Sequence, residues 1–175
     1  MARLAGTHGD GPVADRVRQR RNGTLRPIDT MLLYSPEIAD GWNTLLGAIR
    51  ERLSLPADLL EIVILRIGVL NRAEYEWESH VGPARSAGVT EPQLEALRQD
   101  NPAASGLFSS AQILALEYAQ RMTQDIEVPN EEFAMLRLHF NEQEIVELTA
   151  AIAAYNMVSR FAVALHVSLN PNGGK

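Results

Sequence analysis

Twelve consecutive residues, Leu59 to Leu70, constrain this chain most: the run Leu-Leu-Glu-Ile-Val-Ile-Leu-Arg-Ile-Gly-Val-Leu carries only two charges, Glu61 and Arg66. A stretch with no polar face must be covered on all sides. Its Ile and Val would suit a buried strand. The run is longer than a typical strand, however, and no partner strand is visible elsewhere, so the reading is a buried helix. Burying Glu61 or Arg66 alone is costly, so each must be paired, neutralised or used.

Helix boundaries recur along the rest of the chain. Pro36 opens a segment running to about Leu53, and Pro56 with Asp58 opens the apolar helix. Proline in a first turn lacks only an N–H that has no helical partner there anyway. Thr90 with Gln93, Ser109 with Gln112, and Asn141 with Glu144 have the spacing at which a cap side chain and the third helical residue satisfy each other's backbone donors. Gly88 is placed to end the helix carrying Glu76 and His80 in a left-handed conformation. Pro83, inside that helix, deletes a hydrogen bond beside His80 and predicts a kink. From Glu142 to about Ser168 the pattern is one long helix, in which Arg160 is the only charge between Thr149 and Leu165. Its small residues Ala150, Ala151, Ala153 and Ala154 let neighbours approach, which places it at the centre of the domain or at a subunit contact. The fold class is all-α: six to eight helices in one compact domain over residues 31–170, with an N-terminal arm over 1–30 and a flexible tail over 171–175.

The 175 residues carry a net charge of -6 and no Cys, which suits one soluble domain whose core needs no covalent staples. Disulfides and thiolate metal sites are excluded. No charged-then-apolar-then-small leader opens the chain, so secretion is not expected and the cytoplasm is the expected location. Glu61, Arg66 and Arg160 break the longest apolar runs, and no membrane span is expected. The acidic balance argues against a nucleic-acid partner. Arg16, Arg18, Arg20, Arg21 and Arg26 do cluster, but beside Gly6, Gly9, Gly11 and Gly23 and with no interleaved aromatic residue. That is the pattern of an arm packing on the body or on a neighbouring subunit. Gly-rich phosphate loops and nucleophile elbows are absent, which leaves nucleotide use and serine hydrolysis without support.

Glu76 and His80 are four apart, one turn above each other on a helix, and a carboxylate beside an imidazole can move a proton. The competing reading is a solvated intrahelical pair, as for Glu74 and Glu78. Glu61 shares its helix face with Leu65 and Gly68, where the glycine lets a backbone or a ligand come near; alternatively, Glu61 is neutralised by Arg66 or Arg160. Tyr75 and Trp77 flank Glu76 as packing residues that would keep water from a carboxyl group. Arg160 is the first candidate to clamp a substrate carboxylate, since its planar fork suits bidentate contact, and Arg66 is the second. A metal held by Glu61, Glu76 and His80 is disfavoured, because helical di-iron sites use Glu-x-x-His and the spacing here is Glu-x-x-x-His. His8 and His139 are expected at the solvent. Glu147 and His166 repeat the nineteen-residue separation of Glu61 and His80, each ending in His-Val, as two similar helical hairpins would.

On these residues the chain resembles the carboxymuconolactone decarboxylase-like family, which includes the thiol-dependent alkyl hydroperoxidase D enzymes. The likeness is densest from Leu55 to Leu97, through the Glu61 helix, Tyr75-Glu76-Trp77, His80 and the Gly88-Val-Thr-Glu turn. A weaker echo is Ala154-Tyr-Asn156-Met-Val-Ser-Arg160. Laid through Glu61 and His80, the hydroperoxidase pattern of Glu, Cys-x-x-Cys and His puts its cysteines at Ala73 and Glu76. Both thiols are missing, which moves the resemblance to the decarboxylase branch. It implies an alkyl hydroperoxidase D-like helical fold, a homo-oligomer (trimer or hexamer), and an enzyme with no cofactor or metal that decarboxylates a small carboxylated lactone or ring-cleavage acid. Glu61, Glu76 and His80 would be catalytic, and Tyr75, Trp77, Arg66 and Arg160 would bind substrate. The alternatives are a hydroperoxidase, which would lack its nucleophile, and a non-catalytic oligomeric binding protein whose Glu61, Arg160 and His80 form only a buried polar network.

Overall fold

The computed structural model describes residues 2–169, so the tail expected over 171–175 lies outside the described residues. Among the described residues are nine α-helices, one 3₁₀ turn and no strand: α1 (Pro12–Arg20), α2 (Pro27–Leu32), α3 (Pro36–Glu51), α4 (Ala57–Leu70), α5 (Glu74–Ser86), α6 (Glu91–Leu97), the 3₁₀ turn Pro102–Ser105, α7 (Ser110–Gln124), α8 (Asn130–Leu136) and α9 (Glu142–Leu165). The all-α reading holds, with more helices than the six to eight expected. Two compact units divide the chain, one formed by residues up to Leu53 with those from Phe161 onward, the other by Ser54–Arg160.

In the first unit, α1 and α2 occupy the stretch read as an arm. Each starts with proline in its first turn, Pro12 and Pro27, and both pack on α3. Four of the five clustered arginines are held locally. Arg16 bonds Asp40 at 2.9 Å, Arg18 bonds the Gly9 carbonyl at 2.6 Å, Arg20 bonds Asn43, and Arg21 reaches buried Asp29 at 3.1 Å. Phe161, near the end of α9, sets its ring 5.3 Å from that of Trp42.

In the second unit the apolar run forms α4, where every residue from Leu59 to Gly68 is buried. Its principal neighbours are α5 and α7, with α6 alongside. Ile62 and Leu65 meet Ala84, Leu94, Leu97 and Leu116 in one cluster, and full burial of such aliphatic side chains is worth about 1.5–3 kcal/mol each. The α4–α5 connection is tight. Arg72 adopts a positive φ of 54°, and the Ala73 N–H donates to the Gly68 carbonyl at 2.8 Å. Gly68 permits that closure, since a Cβ there would lie 3.2 Å from the Glu76 Cβ. Pro83 lies within α5. Gly88 ends the helix with φ 96°, as expected, and the Val89 N–H bonds the Ala84 carbonyl at 3.0 Å. The reciprocal caps Thr90/Gln93, Ser109/Gln112 and Asn141/Glu144 all form.

α9 buries one face, through residues such as Leu148, Ile152 and Tyr155, and exposes Val146 and Met157 on the other; Val163, near its end, is exposed as well. It is therefore not enclosed as α4 is. By length and composition it could also cross a membrane, with mean hydropathy 1.4 over its most apolar stretch, of which 44% is buried within the protein. The expectation that charges cut every apolar run short is corrected: Arg160 is one charge in a long apolar helix, and a core helix meets the same test.

Candidate active site

The α4–α5 hairpin builds the site. Glu61 lies roughly three turns before the connection and His80 roughly two turns after it, so the hairpin brings them face to face. His80 Nδ1 is 2.8 Å from Glu61 Oε2. Glu76, one turn before His80, places Oε2 3.7 Å from Nε2. Tyr155 of α9 sets its ring 5.2 Å from the imidazole with the planes at 87°. Glu61, Glu76 and His80 are only 4, 1 and 6% exposed, which sets aside the solvated-pair reading of Glu76 and His80.

The two carboxylates act differently. At 2.8 Å an ionised Glu61 accepts the proton carried on Nδ1, which fixes the tautomer and orients the ring. Glu76 stands beyond hydrogen-bonding distance of Nε2, so it does not anchor that edge as Glu61 anchors Nδ1; when ionised it would act there through its charge. Exclusion of water strengthens both interactions. Because the carboxylates face opposite ring nitrogens, they cannot converge with the imidazole on one metal ion, and among the described residues no group of three His, Cys, Asp or Glu forms such a set.

Neither arginine joins them. Arg66 is buried, yet its guanidinium donates to the carbonyls of Leu97, Gln99 and Asp100 and to Gln120 Oε1, at 3.0, 2.7, 2.8 and 3.0 Å. Desolvation pushes its pKa down, against the opposing pull of Asp100. It ties α4 to the chain after α6. Arg160 is exposed and donates to the backbone and side-chain oxygens of Asn156, so it neither clamps at His80 nor neutralises Glu61. Trp77 packs against the core cluster and lies under the Arg98 guanidinium, 3.8 Å from its ring centre; Tyr75 is buried. His8 and His139 are exposed.

The nineteen-residue echo has a different setting in each place. Glu61 and His80 sit on two antiparallel helices, whereas Glu147 lies within α9 and His166 just after its end. Glu147 instead accepts hydrogen bonds from the Ser54 N–H and hydroxyl at 2.7 and 2.8 Å. Partial desolvation works against ionisation of Glu147, but the bonds from Gln143 and Ser54 prevail and hold its carboxyl below the ordinary range.

Tyr155 and Asn156 escaped the sequence reading as site elements, although both fall in the weaker stretch of family resemblance. A surface cavity of about 600 Å³ in the same unit is lined by Asp100, Glu117, Gln120, Arg121 and Glu132, among others. None of Glu61, Glu76 or His80 lines it.

Residues 36–121 match the description of the carboxymuconolactone decarboxylase family. YdfG of Bacillus subtilis (strain 168), an uncharacterized protein, is 26% identical over 107 residues, covering 60% of this chain and 71% of that protein. The debrominase Bmp8 in complex with 2,3,4-tribromopyrrole superposes with a TM-score of 0.80 at 18% identity, covering 97% of this chain and 91% of that one. A protein of unknown function from Agrobacterium tumefaciens, proposed to be the antioxidant defence protein AhpD, gives 0.73 at 24% identity, covering 79% and 94%. At these identities the structures share the fold, which is the AhpD-like helical fold the sequence implied.

Proposed function

The chain belongs to the carboxymuconolactone decarboxylase family, and from that premise we propose that it is a cofactor-independent acid–base enzyme acting on a small carboxylated lactone or related ring-cleavage acid. The observation that carries the proposal is the buried Glu61–His80–Glu76 array, with Nδ1 anchored at 2.8 Å. The C–C bond to the substrate carboxylate breaks, carbon dioxide leaves, and the bond pair enters the conjugated lactone as a dienolate. Imidazolium Nε2 then delivers a proton to carbon, and the ring recovers one from solvent. Glu61 holds the ring, and Glu76 favours the imidazolium before transfer. With Arg66 and Arg160 committed elsewhere, the array itself supplies no cationic clamp. A carboxylate entering beside Glu76 is poorly stabilised there, and loss of carbon dioxide relieves that repulsion.

The absence of Cys from the chain weighs against the hydroperoxidase alternative, whose thiolate attacks the peroxide. We further propose assembly as a homo-oligomer, a trimer or hexamer, with the exposed apolar side chains of α9 as candidates for the contact; sedimentation analysis at micromolar concentration tests this. A screen of carboxylated lactones and ring-cleavage acids, read by carbon dioxide release, tests the reaction. Release by the parent, reduced about 10²–10⁴-fold in His80→Gln, is the expected result. Equal release by both would remove His80 from the mechanism.

A further inference from the structure

We propose that Tyr155 is a positioning residue that sets the plane of the His80 ring while Glu61 holds its Nδ1 edge, an inference that rests on the acid–base reading above. Both rings are buried, at 3 and 6% exposure, with centroids 5.2 Å apart and planes at 87°. One hydrogen bond fixes one point of an imidazole. Rotation about Cβ–Cγ stays soft over the range that keeps Nδ1 within reach of Glu61, because the terminal torsion of histidine is broad. Such rotation moves Nε2, the atom that must meet the substrate. A perpendicular contact between rings is directional, because the positive edge of one ring meets the negative face of the other. Among the ring planes compatible with the Glu61 bond, it selects one.

Tyr155 is itself held in place. Ile152 and Ser159, about one turn to either side, are both completely buried. The neighbouring Asn156 accepts from Asn71 at the end of α4 and donates to Thr123 of α7, both at 2.9 Å. Arg160, one turn further, donates to the side-chain and backbone oxygens of Asn156. These bonds set the register of α9 against α4 and α7, and with it the height of Tyr155 opposite His80. Arg160 thereby orients Asn156, in place of the substrate clamp expected of it.

The test compares Tyr155→Phe and Tyr155→Leu in the full chain, each alone and combined with His80→Gln. The first readout is the proton NMR signal of His80 Nδ1–H, identified by its loss in His80→Gln. It should stay in place in Tyr155→Phe and shift or broaden in Tyr155→Leu. The second is turnover: Tyr155→Phe should stay near the parent, and Tyr155→Leu should lose about tenfold in kcat with KM little changed, as expected when a reacting atom is misplaced. Adding Tyr155→Leu to His80→Gln should cost nothing further, since both act on one ring. An unmoved signal in folded Tyr155→Leu, or an equal loss of activity with and without His80, would overturn the proposal. Equal damage by Phe and Leu would assign the effect to the hydroxyl and overturn it as well. Should Tyr155→Leu not fold, Tyr155→Met fills the space with a flexible chain and is judged by the same criteria. If no substrate is turned over, the acid–base reading fails while the NMR signal still decides the positioning.

Discussion

Replacing Arg66 by Met separates a structural arginine from a substrate clamp. The methionine retains the apolar stem and removes four hydrogen bonds, to the carbonyls of Leu97, Gln99 and Asp100 and to Gln120. The Leu97 bond is fully buried and the other three are partly so, which lets water reach those acceptors when the guanidinium is gone. A net charged hydrogen bond contributes about 1.5–3 kcal/mol, and a stranded buried carbonyl costs about 1–3 kcal/mol. Full weight for Leu97 and partial weight for the others, less the desolvation cost that Arg66 no longer bears, gives a loss of about 3–4 kcal/mol. That is a large fraction of the roughly 5–15 kcal/mol that stabilises a typical domain. Urea unfolding followed by circular dichroism measures it, and the midpoint should fall with an unchanged slope. A loss under about 1 kcal/mol would refute the reasoning. So would a fully stable Arg66→Met protein whose KM rises while kcat holds, because that pattern belongs to a clamp.

Three further outcomes follow from the same geometry. Gly68→Ala should lower stability by about 1–2 kcal/mol and depress activity beyond that loss, because the new Cβ would lie 3.2 Å from the Glu76 Cβ; melting and turnover read the two effects, and unchanged activity would count against a role for Glu76. The protein should show no dithiol-dependent reduction of organic hydroperoxides above a heat-killed control, since the chain has no Cys, whereas the double substitution Ala73→Cys with Glu76→Cys places thiols where the family pattern has them and is the informative converse. Because the Glu147 carboxyl is held below its ordinary 4.5, its contribution to stability is present above that pH and fades as the pH falls through the lowered value; the parent should exceed Glu147→Gln slightly at neutral pH and match it in acid, and a gap that widens in acid would contradict the assignment.

Features set by neighbouring residues were legible in the sequence. The Thr90, Ser109 and Asn141 caps need only a partner three residues away, and Gly88 answers a local need for positive φ. The enclosed α4 was legible because a run without a polar face has few other solutions. Arg66 was not, because three of its four acceptors are backbone carbonyls, which carry no signature of their own, and the fourth, Gln120, lies on a different helix. Arg160 misled for a related reason: its sequence neighbours are apolar, but its position around α9 faces outward. The pairing of Glu61 with His80 was visible only through the family resemblance, since no spacing rule joins two helices. α1 and α2 were read as an arm because of the glycines around them, although Pro12 and Pro27 carried the same first-turn signal used at Pro36.

In the proposed reaction His80 exchanges protons with a bound carbon acid. Solvent deuterium incorporation into the activated C–H bonds of candidate lactones measures this directly, even where decarboxylation fails. The parent protein should incorporate deuterium and His80→Gln should lose about 10²–10⁴-fold, with folding and oligomeric state preserved. Full incorporation by a folded His80→Gln protein would contradict that role, and the buried Glu61–His80–Glu76 array would then be a structural network.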